Sequence, residues 1–482
     1  MSAELPLPKS WIEAVMRRAG SPERAVITAE GDWSGVELIE RAAGAADWLD
    51  SIGVPDGASV PALLSTSLPA CALLVAGAGS NRPLAPMGPR LVTRELAACL
   101  SAHDSPVIVT QPQFAEAAEA AAARTGHAVH VIPEFARSSR RLATTADYDS
   151  LALIMHTSGT SGVPKKVPVQ QGRLMARVVN SVAVTGVGPG TTYCTMSGFH
   201  HIAGVGNVLI ALGAGAALAG ADRFTIENWQ SLRQFGVTHA LVVPTMISTL
   251  LDAGLLELPT LRGLQYGASP IHPDLLKRLI EALPNVRLVN IYGQTEGSPI
   301  ATLRAEDHIK AANGREDLLL SVGQAAPGVQ LRIVDPDDEG LGEVALLAEH
   351  SYIRADDGWQ YTGDLGRLDD EGYLFLKGRK NDRIIKGGEN VDALEVETVL
   401  DKHPAVRESA VIGVADAHWG EIVKAFVAFD QTAVMNGETP SVDELRAFCR
   451  EQLAGFKVPT EWEIVDALPR SDVGKILRRN LK

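Results

Sequence analysis

Cysteine is scarce and unpaired in this chain. Its 482 residues include four, Cys71, Cys99, Cys194 and Cys449, with no Cys-x-x-Cys pair and no histidine cluster beside any of them. That distribution excludes a disulfide framework and a structural zinc site, and it fits a reducing compartment. Aromatic residues are also few, at 5%. No run of lysine and arginine relieves a net charge of −14, so a protein that tracks nucleic-acid phosphates is excluded as well. No apolar run is long enough to span a bilayer. The longest, Val208–Ala221, has 14 residues and three glycines, against the roughly 20 residues of a spanning helix. It predicts buried core. The opening segment MSAELPLPKSWIEAVMRRAG lacks the apolar centre of a signal peptide, and a cytoplasmic setting is expected. A Walker A pattern, GxxxxGK[ST], is absent too, so any phosphate site must be built another way.

What is present is an ordinary globular balance, 46% hydrophobic and 21% charged, in a length that suits two to four domains at about 100–200 residues each. Short apolar runs at Ala152–Met155, Leu241–Val243, Leu264–Tyr266 and Val286–Ile291 alternate with helical patterns such as Ile226–Gln234 and Pro273–Ala282. Strands alternating with helices predict an α/β fold with largely parallel sheets, whose ligands gather beyond the carboxyl ends of the strands. From about Val329 the pieces LRIVDP, EVALLA and YLFLKG, separated by turn residues, predict a small antiparallel subdomain. After Arg379 a compact α+β module is expected, with a helix over Ala393–Lys402 and strands at Ser409–Gly413 and Lys424–Phe429.

The strongest chemical signal is HTSGTSGVPKKVPV, residues His156–Val169. Glycine and hydroxyl residues after a strand let backbone N–H and side-chain O–H groups wrap phosphate oxygens, with a lysine adding charge. A Ser/Gly surface loop has the same composition. Four more segments follow in order: IYGQTEG (Ile291–Gly297), YTGDLG (Tyr361–Gly366), GRKNDRIIKGGENVDALEVE (Gly378–Glu397) and LPRSDVGKILRRN (Leu468–Asn480). Together the five resemble the superfamily of acyl-CoA synthetases, peptide-synthetase adenylation domains and firefly-type luciferases, over essentially the whole chain.

The resemblance implies an enzyme that uses ATP and Mg2+ to turn a small-molecule carboxylic acid into an acyl-AMP and passes the acyl group to coenzyme A. It implies a large N-terminal domain, 1–380, and a small mobile C-terminal domain, 381–482, turning about Asn381; a homodimer is compatible with it. It also assigns roles. Thr157, Ser158, Gly159, Thr160, Ser161, Gly162 and Lys165 embrace the β- and γ-phosphates. Tyr292 and Gly293 lie on one side of the adenine, with Gly267, Ala268 and Ser269 on the other. Thr295 contacts the α-phosphate, and Glu296 with Thr160 holds the metal. Asp364 accepts from the ribose hydroxyls, a role for which a carboxylate is suited, and Arg379 reaches the same sugar. Lys475 bridges carboxylate and α-phosphate oxygens; outside this context it reads as a solvated lysine in a basic tail. His201 gates the acyl tunnel, or is a satisfied core histidine. Gly387 and Gly388 line the channel for the thiol arm, and Trp419 and Phe456 either meet the CoA nucleotide or belong to the core.

Four departures from the family pattern stand out: Lys166 where glycine is usual, Gln170-Gln171 for a Ser/Thr-His pair, Asn381 at the hinge, and a short stretch between Glu343 and Thr362. Three other readings remain open. They are an enzyme that makes only the thioester from an adenylate produced elsewhere, a domain that loads a carrier protein, and a catalytically dead binding protein. Intact Lys165, Glu296, Asp364, Arg379 and Lys475 argue against the last. No lysine or arginine is placed by the sequence for a second carboxylate, and an apolar acid is the expectation.

Overall fold

A computed structural model describes residues 7–157, 165–386, 389–416, 418–470 and 476–481. The chain divides into two compact units, one formed by residues up to 330 with 347–360, the other by 331–346 with 361 onward. These units follow packing and do not coincide with the expected division at 380.

Two sheets organise the first unit. One has six strands, in the order Ala128–Val131, Val107–Thr110, Val60–Leu63, Leu84–Pro86, Leu151–Thr157 and Lys165–Gln170. All its pairings are parallel except the last. The other has nine strands, from Gln324–Ala325 at one edge to Gly31–Ser34 at the opposite one. Its centre is parallel: Arg287–Gln294, Gly263–Gly267, His239–Val242, Thr192–Thr195, Ala217–Gly220 and Arg24–Thr28 lie side by side. Antiparallel strands close both ends. The α/β reading of the sequence holds.

Helices cover the sheets where their apolar faces demand it. Leu68–Gly79 is buried at 11 of its 12 positions, as befits a helix apolar on every side. The run Val208–Ala221 is core: it supplies the end of the helix Val205–Gly213 and the strand Ala217–Gly220. Trp11 anchors this layer by donating from Nε1 to the Leu209 carbonyl at 2.8 Å. Pro273–Ala282 forms the helix expected of it. Ile226–Gln234 is α-helical only to Ser231; a 3-10 turn, Leu232–Phe235, follows and is closed by Gly236 at φ +67°, a conformation that glycine adopts without strain.

One of the sequence departures, Gln171, is built into the core of this unit. Gln171 opens the helix Gln171–Thr185 and is fully buried. Its side chain accepts from the Ile12 amide at 3.0 Å and donates to the Ala78 carbonyl at 3.2 Å, tying three helices together.

The small antiparallel sheet has the order Val329–Val334, Gly342–Ala348, Gln360–Leu368 and Leu374–Arg379. The C-terminal module is a second antiparallel sheet, Glu389–Asp392, Arg383–Lys386, Gly420–Phe429 and Val406–Asp416, with Glu461–Ile464 added in parallel. Helices Ala393–Leu400 and Val442–Arg450 cover a core that includes Ile384, Val396, Val411, Val423 and Leu445. Among the described residues, no helix is long and apolar enough to cross a membrane.

Candidate active site

The residues that flank the glycine-hydroxyl segment belong to a strand pair at the edge of the six-stranded sheet. Thr157 ends the outgoing strand directly opposite Lys165, which begins the return. Ser158, Gly159, Thr160, Ser161 and Gly162 lie outside the described residues. Lys165 is exposed. Because successive residues of a strand face opposite ways, Lys166 leaves on the other side. Its Nζ donates to the Ala102 carbonyl at 2.5 Å. The residue that departs from the family pattern is therefore tied to the protein's own backbone.

Beneath this strand pair runs a chain of neutral hydrogen bonds. The Pro86 carbonyl can only accept, so His156 Nδ1 carries a proton toward it at 3.1 Å. His156 Nε2 then accepts from His103 Nε2–H at 2.9 Å, and His103 Nδ1 accepts from the Ser59 hydroxyl at 2.7 Å. A second proton on either ring would destroy this order. Burial, followed by the neighbouring His156 ring and the Lys166 charge, pushes His103 down to about 3.

The centre of the nine-stranded sheet supplies the next group of residues. Gly267 ends its strand so close to the neighbouring one that a Cβ would lie 2.3 Å from the Ile291 carbonyl oxygen. Ala268 follows at φ +66°, the left-handed region that an alanine occupies only under constraint. Ser269 is half-buried. On the adjacent strand Tyr292 is half-buried, and at Gly293 a Cβ would meet the Ser298 hydroxyl at 2.5 Å. Thr295 and Glu296 form the two-residue turn between the paired strands Arg287–Gln294 and Gly297–Leu303. The Glu296 carbonyl accepts from the Tyr352 amide at 2.8 Å. Gly267, Ala268, Tyr292, Gly293, Thr295 and Glu296 are thus gathered at the carboxyl ends of parallel strands, where α/β sheets bind ligands. His201 lies in the loop before the helix Val205–Gly213, with its ring 4.0 Å from that of His200.

That loop also borders a cavity of about 60 Å3, lined by Ile202, Ala203, Gly267, Ala268, Ile291 and Gly293. The polar side chains lining the same space include Arg177, Asn207 and Gln265, each nearly fully buried. The sequence did not single them out. Arg177 lies in mid-helix and Gln265 in mid-strand, positions without any local motif.

In the second unit Asp364 and Arg379 face each other across paired strands, and Arg379 Nε donates to Asp364 Oδ1 at 2.9 Å. The carboxylate is buried while the guanidinium is half exposed. Asn381 falls in the three-residue 3-10 turn Lys380–Asp382. Gly387, Gly388 and Lys475 lie outside the described residues. Trp419 is 49% exposed at the turn between Val406–Asp416 and Gly420–Phe429, so it is no core aromatic. The pairing of Lys386 with Gly420 brings that turn beside the strand leading into Gly387-Gly388. Phe456 instead packs partly buried against the core of the module.

Comparison with known proteins gives this geometry a family. The profile of the AMP-binding enzymes matches residues 14–346, and that of the AMP-binding enzyme C-terminal domain matches residues 395–475. This chain is an AMP-binding enzyme. It is 34% identical to the fatty acid–[acyl-carrier-protein] ligase ScoC of Streptomyces coeruleorubidus, over 68% of this chain and 66% of that protein. It is 31% identical to the 2-succinylbenzoate–CoA ligase of Geobacillus kaustophilus, over 98% and 97% of the two chains. Among solved structures, the O-succinylbenzoate coenzyme A synthetase of Bacillus subtilis, in complex with ATP and magnesium ion, superposes with a TM-score of 0.84 at 26% identity, covering 97% of this chain and 99% of that one.

Proposed function

We propose that this AMP-binding enzyme is an AMP-forming acid–CoA ligase. The observation that carries the reading is the crowding at the strand ends. Gly267 and Gly293 admit no side chain there, and the second leads straight into Thr295 and Glu296. Backbone laid this bare suits a flat base held between Tyr292 and the Gly267–Ser269 segment. Glu296 has no ion pair among the described residues. Its charge is therefore left for Mg2+, a hard cation that takes one or two carboxylates together with phosphate oxygens. When bound, the metal supplies charge neutralisation for two anions that must meet. Thr157, Lys165 and the hydroxyl-rich segment would hold the β- and γ-phosphates, and Asp364 with Arg379 the ribose.

In the first step a carboxylate oxygen attacks the α-phosphorus, the bond to the β-phosphate oxygen breaks, and pyrophosphate leaves. Lys475 would offset the charge gathering on the attacked oxygens. In the second step the CoA thiol, losing its proton, attacks the acyl carbon; the carbon–oxygen bond to AMP breaks and AMP leaves. Turning about Asn381 would withdraw Lys475 and present Gly387-Gly388 and Trp419. A cytoplasmic supply of ATP and CoA suits both steps. The likeness to ScoC supports a carrier-loading reading as the alternative.

The test supplies a panel of acids with ATP and Mg2+, and separately the synthetic acyl-AMPs, each with CoA or with a phosphopantetheinylated carrier. Thioester on CoA from both starting points is expected. Lys475→Ala should slow pyrophosphate release by about 10²–10⁴-fold, the scale of a lost transition-state contact, while the discharge of supplied acyl-AMP continues. Equal loss in both half-reactions would refute the role of Lys475. Thioester from the adenylate alone would reduce the enzyme to its second step, and transfer only to the carrier would favour the alternative.

A further inference from the structure

Arg177 is 3% exposed, yet its Nε and Nη1 make no hydrogen bond, and no carboxylate forms an ion pair with it among the described residues. Arginine keeps its charge in proteins, and a buried charge without a partner costs several kcal/mol. The groups that feel this charge are Tyr193, Tyr352 and His350, and none of them balances it. The Tyr193 hydroxyl lies 2.8 Å from Asn207 Oδ1 and 2.7 Å from Gln265 Oε1. The buried Tyr352 hydroxyl is the one group near enough to interact directly with the guanidinium, and it is neutral, so it leaves the charge uncompensated. His350 donates through Nε2 to the Pro299 carbonyl at 2.9 Å, leaving Nδ1 to accept from Asn180 at 2.9 Å; burial pushes it down to about 4. A second donor is left over nearby, because Gln265 Nε2, also buried, has no acceptor.

Both residues border the cavity that reaches Gly267, Ala268 and Gly293. Resting on the ligase reading of that site, we infer that the acid carries a second carboxylate, bound by Arg177 and Gln265 while the first is activated. A guanidinium presents a fork of donors matched to a carboxylate, and the amide N–H2 adds another. The cavity of about 60 Å3 is far below the roughly 300 Å3 at which common ligand pockets begin, so the diacid is short. An apolar acid, the expectation from sequence, would leave every one of these donors buried and unmet.

The experiment has two readouts. Calorimetry with malonate, succinate and glutarate, against propionate, butyrate and valerate, reads the Arg177 site without any turnover. Pyrophosphate release with the same acids reads adenylation. Diacids should bind and be activated in preference to the chain-matched monoacids by about 10²-fold or more, the scale set when a missing group leaves buried donors unpaired. In Arg177→Met that ratio should fall by about the same factor, and the melting temperature should rise because an unpaired buried charge is gone. Arg177→Lys, which keeps the charge and the fold but not the fork, should fall between the two. Diacid binding without pyrophosphate release would uphold the site and refute the ligase reading. Pyrophosphate release from monoacids with no diacid binding would do the reverse. A diacid preference that survives in both variants would overturn the assignment to Arg177.

Discussion

Replacing Lys166 by glycine separates what the sequence pattern suggests from what the structure requires. The family pattern leaves two roles for this lysine, attraction of the phosphates or obstruction of the loop that grips them. The structure shows a third, a tether from Nζ to the Ala102 carbonyl across an exposed surface. A hydrogen bond to a charged donor contributes about 1.5–3 kcal/mol when shielded, and roughly half that in solvent. Glycine in a strand costs about 0.5–1 kcal/mol more. Lys166→Gly should therefore lower stability by about 1–2 kcal/mol. Its effect on ATP is smaller. Lys166 leaves on the face of the strand opposite Lys165, and a unit charge at a separation of roughly 10 Å acts with only about 0.4 kcal/mol in water, most of which salt with a Debye length near 8 Å screens. The KM for ATP should change by less than about twofold. Melting curves and pyrophosphate release at graded ATP measure the two effects. A fivefold or larger change in KM, or a gain of activity with ATP, would refute the tether as the lysine's main role.

Two further outcomes follow from the buried polar groups. Gln171→Leu should destabilise the first unit by about 2–4 kcal/mol, since the Ile12 amide and Ala78 carbonyl both lose their partner inside the core; a melting temperature equal to that of the native chain would refute the link it forms between helices. His103 and His350, pushed down to about 3 and about 4, resist protons that the unfolded chain accepts near 6.5. Each contributes stability that is present above pH 6.5 and is lost as the pH falls toward its folded value, by at most about 1.4 kcal/mol per pH unit. Asp401, raised to about 7 by burial, works in the opposite sense in the second unit, taking up a proton while folded before the unfolded chain does. The comparison of native chain and His103→Asn in urea at pH 7 and pH 5 isolates the histidine term, and the native chain's advantage should shrink at pH 5; an advantage independent of pH would refute it.

Periodicity and turn chemistry made the architecture legible. The strands read from short apolar runs, the helix Pro273–Ala282 and the core status of Val208–Ala221 all follow from which residues must leave water, a property each segment carries locally. Helix ends were less legible, as Ile226–Gln234 shows, because the change from α to 3-10 winding depends on what the last turn packs against. Motif order was informative about the site for a related reason. Gly267, Gly293 and the Thr295–Glu296 turn are adjacent to strand ends, so their grouping follows once the sheet is parallel.

Other features required the folded chain. Trp419 and Phe456 read alike as aromatics, yet one is exposed at a hairpin turn and the other lies against a core. Lys166 and Gln171 differ from the family pattern without any local hint that the first reaches Ala102 and the second Ile12 and Ala78, residues separated from them by more than sixty positions. Arg177 is the plainest case. Nothing in LMARVV distinguishes a solvated arginine from a buried one without a counterion. Its neighbours Tyr193, Gln265, His350 and Tyr352 come from three distant segments, and only their convergence on it gives its charge a meaning. Local pattern specifies which groups are buried, because burial repeats with the period of the helix or strand; which buried groups remain unsatisfied depends on partners that tertiary packing alone brings within reach.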